Sequence, residues 1–182
     1  MYLKKYLYKF KNKRKIIKED KMAKSKIKEL FENSNTVYIF DVDGVLAPIE
    51  YGEYTHYELD DEAWAKALLT NNFYEDKKPF ETFKSFLKDK DKKRIYVATK
   101  VMNDTEKTQK IEFLEKNYGI KKENIFDVYK NEEKLEVIKK IKEEYPLLDA
   151  KYFVMIDDSV EVLNHIMENS EFSTVHVSSF LK

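Results

Sequence analysis

The sequence of 182 residues contains no cysteine, three glycines and three prolines. The lack of cysteine excludes disulfide bonds, thiolate metal sites and cysteine nucleophiles. No apolar run reaches the roughly 18 residues of a membrane-spanning helix, and the N-terminal region lacks the continuous apolar stretch of a signal peptide. We therefore expect a cytoplasmic protein.

The charge of the chain is unevenly distributed, although its formal net charge is zero. Residues 1–35 contain twelve basic and four acidic residues, a net charge of +8 that residues 36–182 balance with −8. Apolar residues of the basic segment recur at helical spacing, since Leu3, Leu7 and Phe10 fall at i, i+4 and i+7. We predict a basic amphipathic helical arm over residues 1–35 and one globular domain over residues 36–182.

The sequence leaves three roles open for the basic arm. The arm could pack on the domain as a solvated amphipathic helix. It could contact nucleic acid or an anionic membrane surface, because clustered lysines with leucine, phenylalanine and tyrosine suit either partner. It could also bind a partner protein, including a second copy in a homo-oligomer.

Strand and helix patterns alternate from residue 36 onward. Short apolar runs predict strands at 37–42, 94–99, 125–129, 151–156 and 174–177. Helical patterns lie at 60–70 and at 159–169, and a third surrounds Leu135, Ile138 and Ile141. A fourth helix is predicted to begin at Pro79 as its first residue. A fifth is predicted between Asn103, its N-cap, and Gly119, which ends it. This alternation predicts an α/β fold with a doubly wound, parallel, five-stranded sheet that helices cover on both faces.

Acidic residues stand where the first and fourth predicted strands end. Asp41 and Asp43 are two residues apart, so both side chains of an extended segment can face one side, and Asp157 and Asp158 follow the fourth strand. Ligands of open parallel sheets bind beyond the carboxyl ends of the strands. Clustered carboxylates repel unless a cation or proton intervenes, and Mg²⁺ prefers oxygen ligands. The pattern predicts a magnesium site, with one carboxylate free to act as a nucleophile.

Other polar residues follow the second and third strands. Thr99 offers a hydroxyl group at the end of the second strand. Lys130 and Lys134 follow the third, and either could supply positive charge to a transferring phosphoryl group. A nucleophile, an acid/base, a metal, a hydroxyl group and a lysine are what phosphoryl transfer to an aspartate requires.

Four segments then resemble the four motifs of the haloacid dehalogenase (HAD) superfamily. They are VYIFDVDGVL, IYVAT, the lysine before LEVIKKI, and YFVMIDDS, in that order, over residues 37 to about 177. The resemblance implies a HAD-like Rossmannoid fold. It also implies a Mg²⁺-dependent phosphatase that hydrolyses a phosphomonoester through an aspartyl-phosphate intermediate.

The resemblance also implies a role for each acidic residue. Asp41 would be the nucleophile. Asp43 would protonate the leaving oxygen, then activate water, and its backbone carbonyl would help to bind the metal. Asp158 would ligate magnesium directly, with Asp157 assisting. Independently of these roles, Asp157 or Asp158 is a candidate N-cap for the helix that begins near Ser159.

The remaining motif residues would bind the phosphoryl group and the substrate. Thr99 and a lysine would hold the phosphoryl oxygens, and Lys134 is preferred to Lys130 because it directly precedes the apolar face of its helix. Gly44 and Lys100 are candidate substrate contacts beside them. His165 and His176 lie within a helix and a strand and are interpreted as structural.

HAD enzymes choose substrates largely through cap insertions. Residues 100–124 have room for one helix, whereas residues 47–78 suffice for a β flap plus the helix around Trp64, a small cap at most. His56 is a candidate substrate contact in this flap, among tyrosines that could stack on a base or sugar or pack the flap onto the domain. An open site suits a phosphorylated small molecule, a macromolecular substrate, or a cap lent by an oligomeric partner.

Three alternatives to a phosphatase that acts on small molecules stay open. A nucleic-acid end phosphatase would use the basic arm to hold the polymer, and its binding would weaken with salt. A phosphotransferase or mutase would pass the phosphoryl group to an acceptor other than water. A non-catalytic binding or regulatory module would keep the fold, with or without the metal.

Overall fold

The computed structural model describes residues 26–47, 62, 66, 68–69, 72–75 and 77–180. The predictions for residues 1–25 and for most of the insertion, including His56 and Trp64, lie outside the described residues. A boundary after Ser34 divides the chain into two units. In the first unit residues 26–32 are helical, and the second unit carries the sheet.

The second unit is built around a five-stranded parallel sheet. Its strands are β1 (Val37–Phe40), β2 (Ile95–Lys100), β3 (Ile125–Val128), β4 (Phe153–Asp157) and β5 (Ser173–His176). Their order in the sheet is β3-β2-β1-β4-β5, with parallel pairing throughout. The α/β, doubly wound, parallel fold predicted from the sequence is therefore confirmed, and its switch in strand order lies between β1 and β4.

Four described helices flank the strands. They are α1 (Glu81–Leu87), α2 (Asp104–Tyr118), α3 (Lys134–Glu143) and α4 (Val160–Asn169). The predicted ends of α2 are confirmed: the Asn103 side chain accepts a hydrogen bond from the backbone N–H of Glu106, and Gly119 closes the helix with φ 63°. Among the described residues, no helix has both the length and the apolar character that a membrane span needs.

The prediction that Pro79 is the first residue of a helix is wrong. Helix α1 begins at Glu81, and its N-cap Phe80 is still extended. The reason is that the backbone N–H of Phe80 donates outside the helix, to the hydroxyl group of Tyr118 at 2.8 Å and to the carbonyl of Leu46 at 3.3 Å. These contacts hold the chain extended for one residue beyond the proline.

Apolar side chains cover both faces of the sheet. On one face, alternate residues of β1, β2 and β4 form a buried cluster with α3 and α4: Val37, Ile39, Tyr96, Ala98, Phe153, Met155, Leu135, Ile138, Ile141, Val162, Leu163 and Ile166. On the other face Phe40 packs edge-on against Phe83 of α1, with ring centroids 5.3 Å apart. Each fully buried side chain of this size stabilises the fold by about 1.5–3 kcal/mol. The ends of β1 and β4 are thus held by a packed core.

Candidate functional site

The ends of β1 and β4 bring the predicted acidic residues together. Asp41 follows β1 directly, and its backbone N–H donates to the carbonyl of Ile156 in β4 at 3.0 Å. Asp157 is the last residue of β4 and Asp158 follows it. The backbone pairing of β1 with β4 thereby fixes Asp41 beside this acidic pair.

Lys134, the first residue of α3, lies between two of these carboxylates. Its Nζ is 3.2 Å from Oδ2 of Asp41 and 2.9 Å from Oδ2 of Asp157. Burial alone would lower the pKa of the Lys134 ammonium group, but the two carboxylates raise it above its usual value. Of the two lysines left open by the sequence, Lys134 is buried in the site, whereas Lys130 is exposed.

Three carboxylates form a group that could hold a metal ion. Oxygen atoms of Asp41, Asp157 and Asp158 all lie within 4.8 Å of one another. With all three ionised, Lys134 compensates one negative charge, so two stay uncompensated, which is the charge of a divalent cation. Oxygen donors of this kind are those that Mg²⁺ prefers. The donor set and its charge therefore fit Mg²⁺.

One carboxylate oxygen of Asp41 has no partner in the part of the chain that the structure describes. Oδ1 is buried and makes no hydrogen bond to any described residue, although buried polar atoms are almost always paired. Burial raises the pKa of Asp41 to about 6, against the opposing effect of Lys134. Burial also raises the pKa of Asp158, and the neighbouring Asp157 adds to that effect. The site thus contains an unsatisfied carboxylate oxygen that a cation or a substrate would satisfy.

The carboxylate of Asp43 lies outside this metal-binding group and has its own partners. Lys110 of α2 places its Nζ 2.8 Å from Oδ2 of Asp43, and the hydroxyl group of Tyr74 donates to Oδ1 at 2.7 Å. Burial alone would raise the pKa of Asp43, but Lys110 and Lys77 hold it below its usual value. The backbone carbonyl of Asp43 could join a metal, whereas its side chain binds Lys110 and is not one of the three grouped carboxylates.

Thr99 is buried at the end of β2 and contacts Lys110, the lysine that binds Asp43. The Nζ of Lys110 donates to the Thr99 hydroxyl oxygen at 3.2 Å. The Thr99 hydroxyl group is also 3.5 Å from the carbonyl of Lys100, the outer limit of a hydrogen bond. Thr99 therefore lies with Asp43 on the α2 side of the site, while Lys134 lies with Asp41.

The candidate substrate contacts have different positions. Gly44 starts a tight turn with φ 73°, and its N–H donates to the carbonyl of Ala47 at 3.0 Å. The side chain of Lys100 borders a cavity of about 800 Å³ that Tyr129, Lys130 and the exposed side of α4 also line. The structure therefore separates Lys100, in this cavity, from Gly44, which lies against the aspartates.

One interpretation of the fourth motif changes with the structure. The prediction that Asp157 or Asp158 caps α4 is wrong, because the Ser159 side chain accepts from the N–H of Val162 and is the cap. Asp157 instead accepts from the N–H of Ser159 at 2.8 Å, through Oδ1. His176 was interpreted as structural, and its Nε2 lies 2.9 Å from the carbonyl of Asp158, so it holds the backbone of a candidate ligand.

The contacts of Lys110, Glu106 and Tyr74 in the site were not predicted from the sequence. The cap and the apolar residues predict α2, but they do not indicate that its charged side chains point into the protein. Glu106 and Lys110 are spaced i, i+4, which brings them together on a helix, but the same spacing recurs on exposed surfaces, as in Lys28 and Glu32. The spacing alone therefore could not have identified the pair.

Comparisons of the chain with protein-family models, with curated proteins and with solved structures find no match. Membership of the HAD superfamily accordingly stays a prediction, which rests on the four motifs and their order.

Proposed function

We propose that this chain is a Mg²⁺-dependent phosphohydrolase of the HAD type that receives the phosphoryl group on Asp41. The observation that carries the proposal is the state of the Asp41 carboxylate. One of its oxygens is bound to buried Lys134, and the other is buried with no hydrogen-bond partner among the described residues. A purely structural ion pair would satisfy both oxygens, because unpaired buried polar atoms destabilise a fold.

The first step is attack of an Asp41 carboxylate oxygen on phosphorus. The bond between phosphorus and the ester oxygen breaks, and the leaving oxygen takes a proton from Asp43, whose lowered pKa rises when the negatively charged phosphate binds beside it. The products are the aspartyl phosphate and the free alcohol. Bound magnesium would supply positive charge against the phosphoryl oxygens.

The second step is hydrolysis of the aspartyl phosphate. Water attacks phosphorus while Asp43 accepts its proton, the bond between Asp41 and phosphorus breaks, and inorganic phosphate leaves. Asp41 is again a carboxylate and Asp43 again carries a proton, so the cycle closes with the consumption of one water molecule. The backbone turn that begins at Gly44 keeps both aspartates at the end of the same strand.

Lys134 and Thr99 would hold the phosphoryl oxygens. An ammonium group has three N–H donors, and within the described residues Lys134 uses two of them, for Asp41 and Asp157. The third is available to a phosphoryl oxygen. Within the described residues the Thr99 hydroxyl group donates only to the carbonyl of Lys100, over an oxygen–oxygen distance of 3.5 Å, so its hydrogen can turn toward the substrate.

The test is hydrolysis of an aryl phosphate with and without Mg²⁺ by the wild-type protein and Asp41→Asn. We expect release that needs Mg²⁺ and falls on the order of a thousandfold or more in the variant, as for loss of other catalytic nucleophiles. Asp89→Asn is the matched control, because Asp89 is exposed and outside the site. Wild-type rates in Asp41→Asn would contradict the covalent mechanism, and rates independent of Mg²⁺ would contradict the metal requirement.

The acceptor is tested in the same assay. Equal amounts of inorganic phosphate and alcohol indicate transfer to water. A deficit of inorganic phosphate in the presence of an added alcohol would indicate a phosphotransferase, which shares the first step.

A further inference from the structure

We infer that Lys110 is a positioning residue that fixes the carboxylate of Asp43 for proton transfer. The inference rests on the proposed function, because it concerns how Asp43 performs the acid and base steps. It extends that function to a helix, α2, that contributes none of the four motifs. The side chain of Lys110 is 2% exposed, so its ammonium group is held by the protein rather than by water.

The contacts of Lys110 leave no donor for a substrate. Its Nζ lies 2.8 Å from Oδ2 of Asp43, 2.9 Å from Oε1 of Glu106 and 2.5 Å from the carbonyl of Lys100. The hydroxyl oxygen of Thr99 is a fourth acceptor at 3.2 Å. Three N–H groups thus face four acceptors. Lys110 therefore acts on the reaction through Asp43 and does not bind the phosphoryl group itself.

The position of Lys110 is itself fixed from the start of α2. Glu106 contacts Lys110 through Oε1 and accepts from the N–H of Met102 at 2.7 Å through Oε2. The N–H of Glu106 is in turn bound to the side chain of Asn103 at 2.9 Å. A helix cap, a buried glutamate and a buried lysine thereby form a continuous chain of contacts that ends on Asp43.

The two oxygens of Asp43 consequently differ. Oδ2 is held at 2.8 Å by the ammonium group of Lys110, whose side chain is 2% exposed. Oδ1 accepts from the hydroxyl group of Tyr74 at 2.7 Å and lies 3.7 Å from the ammonium group of Lys77, whose side chain is 23% exposed. The contact with Lys110 is closer and better shielded from water than the contact with Lys77, and ion pairs weaken with distance and with exposure to water. Lys110 therefore fixes the plane of the carboxylate, and Oδ1 is the oxygen that can exchange its partner for a leaving group or a water molecule.

The test compares esters whose leaving groups differ in their need for a proton. An aryl oxide leaves without protonation, whereas an alkyl oxide requires it. For Lys110→Met we expect hydrolysis of alkyl phosphates to fall by about 10²–10⁴-fold, the usual contribution of a general acid or base. The rate of aryl oxide release in the first turnover should fall far less. Aryl oxide should then appear as a burst followed by a slow phase, because hydrolysis of the phosphoenzyme also needs Asp43 and the phosphoenzyme accumulates.

Two further proteins make the comparison specific. Lys107→Met removes another lysine of α2, which pairs with Asp127 at 2.7 Å, and should keep the wild-type ratio of alkyl to aryl rates. If Lys110→Met does not fold, Lys110→Met/Glu106→Leu replaces both members of a buried ion pair with apolar residues, a change that folds often tolerate. This double variant should show the same loss and the same burst.

Equal slowing of alkyl and aryl esters without a burst would overturn the inference, because it would indicate a structural role alone. Wild-type rates in the folded variant would overturn it as well. In both cases the wild-type protein still hydrolyses esters with Mg²⁺, so the proposed function stands. Absence of hydrolysis by the wild-type protein would instead overturn the proposed function, and the role of Lys110 with it.

Discussion

Gly44 lies so close to Asp158 that a side chain at position 44 would displace the Asp158 carboxylate. A Cβ atom added to Gly44 would overlap the carboxylate of Asp158, and the glycine already adopts φ +73°. That region of backbone conformation is unfavourable for residues with a Cβ atom. The first motif and the fourth motif therefore meet at Gly44 and Asp158, and the candidate metal ligand packs on the backbone of the turn.

Gly44→Ala should destabilise the fold and disturb the metal site together. We expect a loss of about 1–3 kcal/mol in the free energy of unfolding, from backbone strain and the displaced carboxylate, and weaker binding of Mg²⁺. Denaturant titrations with and without Mg²⁺ measure both effects. Gly119→Ala is the matched control, since Gly119 has φ +63° but nothing within 4 Å of an added Cβ. Equal effects of Mg²⁺ on the two variants would contradict the contact with Asp158.

Lys134→Met should lower the stability of the fold while it increases the affinity for Mg²⁺. Removal of one partner of a buried ion pair destabilises a protein by about 3–5 kcal/mol, and Asp41 and Asp157 would lose their shared cation. The site would then be more negative, so we expect Mg²⁺ to bind more tightly and to restore part of the lost stability. Hydrolysis should fall, because the phosphoryl oxygens lose the ammonium group.

Calorimetric titration with Mg²⁺ and thermal melting measure this pair of opposite changes. Lys139→Met is the control, because Lys139 pairs with Glu136 on the exposed side of the same helix at 2.7 Å. An exposed pair of this kind contributes about 0–1 kcal/mol. Weaker binding of Mg²⁺ by folded Lys134→Met would show that the lysine does not compete with the metal for the same carboxylates.

The position of the site could be predicted because it depends on strand ends. The run before Asp41 is continuously apolar, and so is the run before Asp157, which is typical of parallel strands buried on both faces. Parallel strands end at one edge of the sheet, so both acidic pairs were expected at that edge, and the observed pairing of β1 with β4 brings them together. Strand bounds shifted by one or two residues, as with 151–156 against Phe153–Asp157, without moving the carboxylates.

The partners of these carboxylates could not be predicted in the same way. Whether a helical lysine turns inward depends on the acceptors that other elements place opposite it, and sequence spacing carries no such information. Lys134 could be predicted as a site residue because it belongs to one of the four motifs. Lys110 could not, because its acceptors come from the turn after β1, from β2 and from its own helix. The same reasoning applies to Pro79, whose neighbour Phe80 bonds to residues distant in sequence.

Buried tyrosines should make the fold sensitive to alkaline pH. Burial raises the pKa of Tyr38 to about 12, and it raises the pKa of Tyr96 and Tyr118 as well, whereas a tyrosine in an unfolded chain titrates near about 10. At a pH above the tyrosine pKa of the unfolded chain, the unfolded state binds fewer protons than the native state. The free energy of unfolding therefore falls as the pH rises. The stabilisation is fully present below about pH 10 and is lost as the pH approaches about 12.

Tyr38→Phe isolates one of these groups. Each such tyrosine contributes up to about 1.4 kcal/mol per pH unit to the slope, so the variant should lose stability less steeply than the wild-type protein between about pH 10 and 12. Denaturant midpoints across this range, with tyrosinate absorbance as a second signal, measure the slope. Tyr129→Phe is the control, because Tyr129 is 63% exposed and should leave the slope unchanged. Identical slopes for Tyr38→Phe and the wild-type protein would mean that Tyr38 ionises in the native state as readily as in the unfolded chain.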